Sequence, residues 1–189
     1  TFPALADTAF GAAVPVPAAS ASSGLAVSYS TSSAACSVSG AGVITFTSLG
    51  TCTVDANQAG NATYAPAPQV SESFEITAGV QTVTFAGVPS VAVGSPAAAT
   101  ATSTGPGAIT YASTTPAACS VDTNSGQVTG LVAGTGNCSI TATAAATSTY
   151  ASGSASQTFD IAPAPLTAQT ITFPALADTA FGAAVPVPA

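Results

Sequence analysis

Short runs of β-branched and aromatic residues recur along the chain, and Gly, Pro or Ser separates each run from the next. The runs Leu25–Ser30, Gly42–Thr47, Thr51–Ala56, Phe74–Thr77, Gln81–Phe85, Ala108–Ser113 and Cys138–Ala144 read as strands. In the run containing Phe74 and Ile76, and in the one containing Phe159 and Ile161, the apolar residues sit two apart and face one side of a sheet. No capped window places apolar residues at i, i+3, i+4 and i+7, and proline recurs too often for long helices. The pattern predicts an all-β chain.

The pattern also repeats. Residues 1–18 read TFPALADTAFGAAVPVPA, and residues 172–189 read the same without a change. Inside that period lies a second, degenerate repeat. Ala34-Ala-Cys-Ser-Val38 recurs at 117–121, and Gln81-Thr-Val-Thr-Phe85 recurs as Gln169-Thr-Ile-Thr-Phe173. Cys52-Thr-Val54 matches Cys138-Ser-Ile140, each followed at the same distance by a tyrosine, Tyr64 and Tyr150. Phe74-Glu-Ile76 matches Phe159-Asp-Ile161. This predicts two homologous domains, 1–79 and 80–166, then a linker and the first strands of a further repeat, 167–189. Each domain has room for about seven short strands, the size of an immunoglobulin-like β-sandwich. The joint Ile76–Gln81 is short, and Ala162–Thr167 is proline-rich, hence extended and semi-rigid. Domains held nearly end to end are expected.

Composition narrows the functions available. The chain has no Lys, Arg or His and carries 7 acidic residues, for a net charge of −7. An average protein of this length would hold roughly two dozen basic residues. No basic footprint for nucleic acid can be built, an anionic membrane surface is repelled, and side-chain salt bridges are excluded. No apolar stretch is long enough for a membrane-spanning helix, so no membrane insertion is expected. Residues Thr1–Phe10 have neither a basic nor an apolar signal-peptide region. With few ionisable groups, stability should depend little on salt, and only weakly on pH above about 5.

Two segments carry a resemblance. Gly126-Gln-Val-Thr-Gly-Leu-Val-Ala-Gly-Thr135 followed by Cys138-Ser-Ile-Thr-Ala142, with Pro116–Val121 upstream, resembles the signature of bacterial immunoglobulin-like (Big) domains. The first repeat is similar in Ala34–Val38, Gly42–Phe46, Gly50–Val54 and Ala59–Tyr64. Together the two copies cover nearly the whole chain. The resemblance implies tandem β-sandwich domains of large surface proteins, including adhesins and invasin-like proteins, where most such domains act as stalk. The lack of lysine excludes the Lys–Asn isopeptide cross-links that some bacterial surface domains use.

The remaining chemistry is sparse. Four cysteines allow three pairings. One pair per repeat favours Cys36–Cys52 and Cys119–Cys138 as structural disulfides. A zinc site would need four close Cys or His ligands, and a reactive thiolate a neighbouring cation. Glu72 and Glu75 lie three apart on a strand and point to opposite faces, so they cannot act as an acid/base couple. Glu72 shares parity with the inward Phe74 and Ile76, which predicts that the regular strand begins after Glu72 or that a bulge resets the register. Asp55 with Asn57, and Asp122 with Asn124, offer oxygen ligands for calcium, but neither makes a complete loop, and Asp122–Gly126 reads as a turn. Serine and threonine abound with no His or Lys to activate them, so neither catalysis nor a cofactor is expected. Tyr64 and Tyr150 are expected to pack in the core with the hydroxyl bonded to a loop, glycan stacking being the alternative. Asn61-Ala-Thr63 and Asn137-Cys-Ser139 are glycosylation sequons that read more simply as turn asparagines.

Three functions remain open on this reading. The first is a mechanical or spacer module of a bacterial extracellular fibre or adhesin stalk, whose partners are neighbouring repeats. The second is a filament subunit that joins copies of itself by strand exchange. Residues 172–189 would dock through Thr172, Phe173, Leu176, Phe181, Val185 and Val187, since they cannot bury an apolar face alone. The third is an adhesin module that binds a glycan, receptor or matrix.

Overall fold

The computed structural model describes residues 1–87, 90–173 and 180–182. Among them it is all-β, as the pattern predicts. The described residues form two immunoglobulin-like sandwiches, each around its own apolar cluster.

In the first half the strands are β1 (Thr8–Ala9), β2 (Ser28–Ser30), β3 (Cys36–Val38), β4 (Ile44–Phe46), β5 (Gly50–Gln58) and β6 (Ala67–Thr77). They make a sheet in the order β1-β6-β5-β2 and a separate ribbon, β3-β4. β1 runs parallel to β6, and the other pairs are antiparallel. The cluster between them holds Phe2, Ala35, Cys36, Ile44, Cys52, Val54, Ala56, Phe74 and Ile76. Along β5, buried Cys52, Val54 and Ala56 alternate with more exposed neighbours, the period-2 pattern of a sheet with one face in a core.

The second half repeats this plan with β7 (Val83–Phe85), β8 (Val91–Ala92), β9 (Pro96–Ala98), β10 (Ala101–Ser103), β11 (Ile109–Ser113), β12 (Cys119–Val121), β13 (Gln127–Gly130), β14 (Gly134–Ala144) and β15 (Gly153–Ala162). One sheet is β11-β14-β15-β8, another is β12-β13-β9, and β7 pairs with β10. Val91, Val128, Ile140 and Ile161 are fully enclosed. Burying each such aliphatic side chain contributes about 1.5–3 kcal/mol.

Each half carries one disulfide, Cys36–Cys52 and Cys119–Cys138, with Cα atoms 5.7 and 5.6 Å apart. Cys36 lies in the β3-β4 ribbon and Cys52 in the large sheet, so the bridge ties one sheet to the other. Cys119 on β12 and Cys138 on β14 do the same. In the chain-entropy view each closure stabilises its half by about 3 kcal/mol.

Two sequence expectations fail here. Glu72 does not precede the regular strand. β6 starts at Ala67, Glu72 stands opposite Val54, and the register is unbroken from Ile76 to Val70. The shift on this pair falls instead between Ala56 and Gln58. Glu72 keeps its inward parity because the facing strands β3 and β4 are three residues long, whereas β6 has eleven. Beyond Phe74 the inward face outruns its cover, and a half-buried carboxylate is tolerated there. Gln157, opposite Ile140 on β15, is half-buried in the same way.

The tyrosines that anchor each sandwich are also not the expected pair. Tyr29 and Tyr111, on β2 and β11, hold the stretch that follows the first segment of each half, a loop in the first half and the start of β10 in the second. Ala19 N donates to Tyr29 Oη at 2.9 Å, Tyr29 Oη donates to Pro17 O at 3.2 Å, and Ala101 N donates to Tyr111 Oη at 3.0 Å. Tyr64 and Tyr150 lie outside both core clusters.

Candidate functional site: the joint between the halves

Tyr150 belongs to the contact between the halves. Gly79 N donates to Thr149 O and Ala151 N donates to Gly79 O, each at 2.9 Å, so the linker strand pairs in parallel with the loop carrying Tyr150. The Tyr150 ring meets Phe10 of the first half edge-on, with centroids 5.8 Å apart and planes at 73°. Phe10 is held in turn by Phe46, and its N–H donates to Thr77 O at 2.9 Å. Gly79 is required by close approach. A Cβ there would stand 2.4 Å from Phe10 O and 2.6 Å from the Tyr150 ring.

Two residues further on, Gln81 is only 3% exposed. Its Nε2 donates to Ala145 O at 2.9 Å and to Ala151 O at 2.8 Å, and its Oε1 accepts from Gly107 N at 2.8 Å. One amide therefore satisfies backbone groups of two loops and closes the end of the second sandwich. Space for it comes from Gly105 and Gly107, where a Cβ would fall within 2.7 Å of the Gln81 side chain. Sequence reading singled out Gln81 only as a letter in a repeated motif; its signal was the return of that letter at Gln169.

At the corresponding end of the first half Thr1 and Ser20 exchange backbone hydrogen bonds. A cleft of about 400 Å³ lies there, lined by Phe2, Ala21, Val27, Ala56, Ala67 and Val70 among others, with the half-exposed Tyr64 at its edge. A second, shallower concavity is bounded by Val91, Thr135 and Ile161.

The carboxylates serve local structure. Asp122 Oδ1 accepts from Asn124 N at 3.1 Å, from Ser125 N at 2.8 Å and from Ser125 Oγ at 2.8 Å. These bonds, led by the Ser125 backbone, hold its pKa below the usual aspartate value. Asp55 accepts from Ser71 Oγ at 2.6 Å, and Asp7 Oδ1 accepts from Glu75 N at 2.8 Å. Glu75 accepts from Thr51 Oγ1, and Asp160 Oδ1 from Gly136 N at 2.6 Å. Among the described residues no three of His, Cys, Asp and Glu gather as a metal site would need. Asn61 Oδ1 caps its own turn, accepting from Thr63 N and Tyr64 N, and Asn137 Nδ2 donates to Val132 O at 2.8 Å.

Of the residues expected to mediate assembly, Thr172, Phe173 and Phe181 are described, and all three are exposed. Leu176, Val185 and Val187 lie outside the described residues.

No family model matches the chain, and no curated protein matches it. Among solved structures it is similar to domains 1–6 of surface layer protein SbsC, at 14% identity and a TM-score of 0.33 over 74% of this chain. It is also similar to a C-terminal intimin fragment solved with the intimin-binding domain of its translocated receptor, at 22% identity and a TM-score of 0.31 over 71% of this chain. Mouse protocadherin-24 repeats EC1–3 match at 13% identity and a TM-score of 0.34 over 85%. The chain spans 20% of the surface-layer chain, 51% of the intimin fragment and 68% of the protocadherin. Scores this low leave the fold resting on the chain's own sheets and cross-sheet disulfides.

Proposed function

We propose that this chain is a structural module of an extracellular fibre or stalk, with immunoglobulin-like domains at 1–79 and 80–166 stacked end to end. It acts as a spacer, without catalysis, and its partners are neighbouring repeats of the bacterial immunoglobulin-like kind. The observation that carries this reading is the joint. Gly79 gives up its side chain so that a backbone ladder and the Phe10–Tyr150 contact clamp one half to the next. A flexible tether between independent modules needs none of these. Two buried cross-sheet disulfides suit an oxidising, extracellular setting and resist being pulled apart. The aspartates and Glu75 are engaged in turns and strand contacts, which supports a structural use of the acidic groups.

The test is orientation. NMR relaxation should give both halves one common tumbling axis, and Gly79→Val should release them while leaving the unfolding midpoint of each half within about 0.5 kcal/mol of native. Independent tumbling of the halves in the native chain would refute the stalk reading.

A further inference from the structure

On one side β15 pairs with β14, from Phe159 opposite Cys138 to Gly153 opposite Ala144. On its other side it pairs only at Ile161 and Ala162, with β8. Val93 N donates to Ala162 O at 3.0 Å, so the backbone of Ala162 turns to that second side. Alternate residues of a strand turn the same way, which puts the N–H and C=O groups of Ser154, Ser156 and Thr158 there too. Among the described residues none of these groups has a partner on that side, and the three side chains are exposed. A row of unpaired donors and acceptors about 15 Å long is a template for another strand.

The matching edge of β6 is open as well, since β1 meets it only at Ile76 and Thr77. A second unit follows that half, so the open edge belongs to the sandwich itself and not to what stands before or after it. The two edges differ in charge. Glu72 stands on the inward face of β6 and Glu75 on its outward face, with Asp55 opposite Ser71 on the next strand. An inward carboxylate protects an edge strand, because pairing would drive the charge into the seam. Two β6 edges would also gather several carboxylates, and no Lys, Arg or His is present to offset them. In β15 Gln157 takes the place of Glu72, and Ser154–Thr158 carries no charge. The nearest carboxylate on the strand, Asp160, is held by Gly136 N.

We propose that the Ser154–Thr158 edge is an interaction surface whose occupant is the same edge of a second copy of the chain, antiparallel about a two-fold axis at Ser156. Such a pairing is self-complementary. Ser156 meets Ser156 of the second copy and Ser154 meets its Thr158, which forms about six backbone hydrogen bonds. The hydroxyls then repeat across the seam the rungs the chain makes within itself, where Thr141 Oγ1 lies 2.7 Å from Ser156 Oγ and Thr53 Oγ1 lies 2.8 Å from Ser73 Oγ. On the inward face Gln157 stands opposite the small Ala155 of the second copy. The antiparallel order keeps each β8 at an outer end of the shared sheet, clear of the other. A charged segment finds no opposite charge along this edge, whereas the uncharged edge of a second copy repels nothing at the seam. This side-by-side pairing goes beyond the stacking of units within one chain and does not depend on it.

The experiment oxidises two single variants of the full chain separately, Ser156→Cys and Ser154→Cys, at high concentration, and measures covalent dimer. Directly opposed residues of such a pair stand about 5.5 Å apart at Cα, within reach of a disulfide. Ser154 is displaced from its own copy by about 13 Å along the strand. Ser156→Cys is therefore expected to give about tenfold more dimer than Ser154→Cys; equal yields, or no dimer from Ser156→Cys, would overturn the proposal. In a second measurement, sedimentation of the native chain should show a concentration-dependent dimer, which Gln157→Glu weakens about 10- to 100-fold. The variant keeps its fold, because Glu72 occupies the equivalent place in the first half. A native chain that stays monomeric, or a Gln157→Glu chain that pairs as well as native, overturns it. Neither result touches the Gly79 joint, whose rigidity is read within one chain.

Discussion

In the second half Gln81 and Val83 precede Thr84 and close the end of the sandwich, one with three backbone contacts, the other with an aliphatic side chain. The matching end of the first half, where Thr1 and Ser20 exchange backbone hydrogen bonds, borders a cleft. Three features of the framework are shared: the cross-sheet disulfide, the tyrosine that anchors the stretch after the opening segment, and the Phe-x-Ile pair on the last strand. The comparison teaches that the end of the second sandwich is closed by the same stretch that leads in from the first half. The closing residues arrive with the linker, so whatever joins two units also completes one of them.

The shared part should give the largest and most symmetric effect. Replacing Cys119 and Cys138 by Ala, or Cys36 and Cys52 by Ala, should each cost about 3 kcal/mol in denaturant unfolding of the half concerned, because the closed loops span 19 and 16 residues and differ little in chain entropy. A marked difference between the two pairs would break the equivalence of the halves.

The unshared part should act on one half alone. Gln81→Ala leaves Gly107 N, Ala145 O and Ala151 O without their partner and should destabilise the second half by about 2–3 kcal/mol. Hydrogen exchange should quicken in β11 and β14 and stay unchanged in β2 and β5. Equal loss in both halves would show that the amide supports more than the end it closes.

The smallest effect concerns pH. The turn after β12 is capped by Asp122, whereas the matching turn after β3 is capped by the neutral Ser39, whose Oγ accepts from Val43 N at 3.0 Å. The pKa of Asp122 is lowered in the folded chain, so its contribution is present above the usual aspartate value near 3.8 and disappears as pH falls through the folded value. Acid titration followed by NMR should loosen the second turn below about pH 4 and leave the first unchanged. Simultaneous loosening would mean that the carboxylate is not the cause.

Much of the framework was legible because its signals are local. The β-branched runs marked β2, β4, β5, β7, β11 and β14, and the doubled cysteines marked the two cross-sheet bridges, since each pair recurs inside a recurring frame. Misreadings arose where the decisive neighbour is distant in sequence. Tyr150 looks like a core residue until Phe10 and Gly79 are brought beside it. Glu72 looks like a strand boundary until the short β3-β4 ribbon leaves that stretch of β6 uncovered. Tyr29 and Tyr111 carry no local mark beyond lying on strands, because their partners, Ala19 and Ala101, are reached across the fold.

By itself the sequence determined that the chain is all-β, that its plan occurs twice, and that no ion pair between side chains helps to hold it. Those properties follow from residue type, period and identity, which need no neighbours. Only the tertiary structure decided which tyrosine anchors a loop and which joins two units, and why Gly79 has no side chain. Burial is a property of what surrounds a residue, and a tyrosine is 8% exposed at Tyr111 but 49% exposed at Tyr64 according to what packs over it.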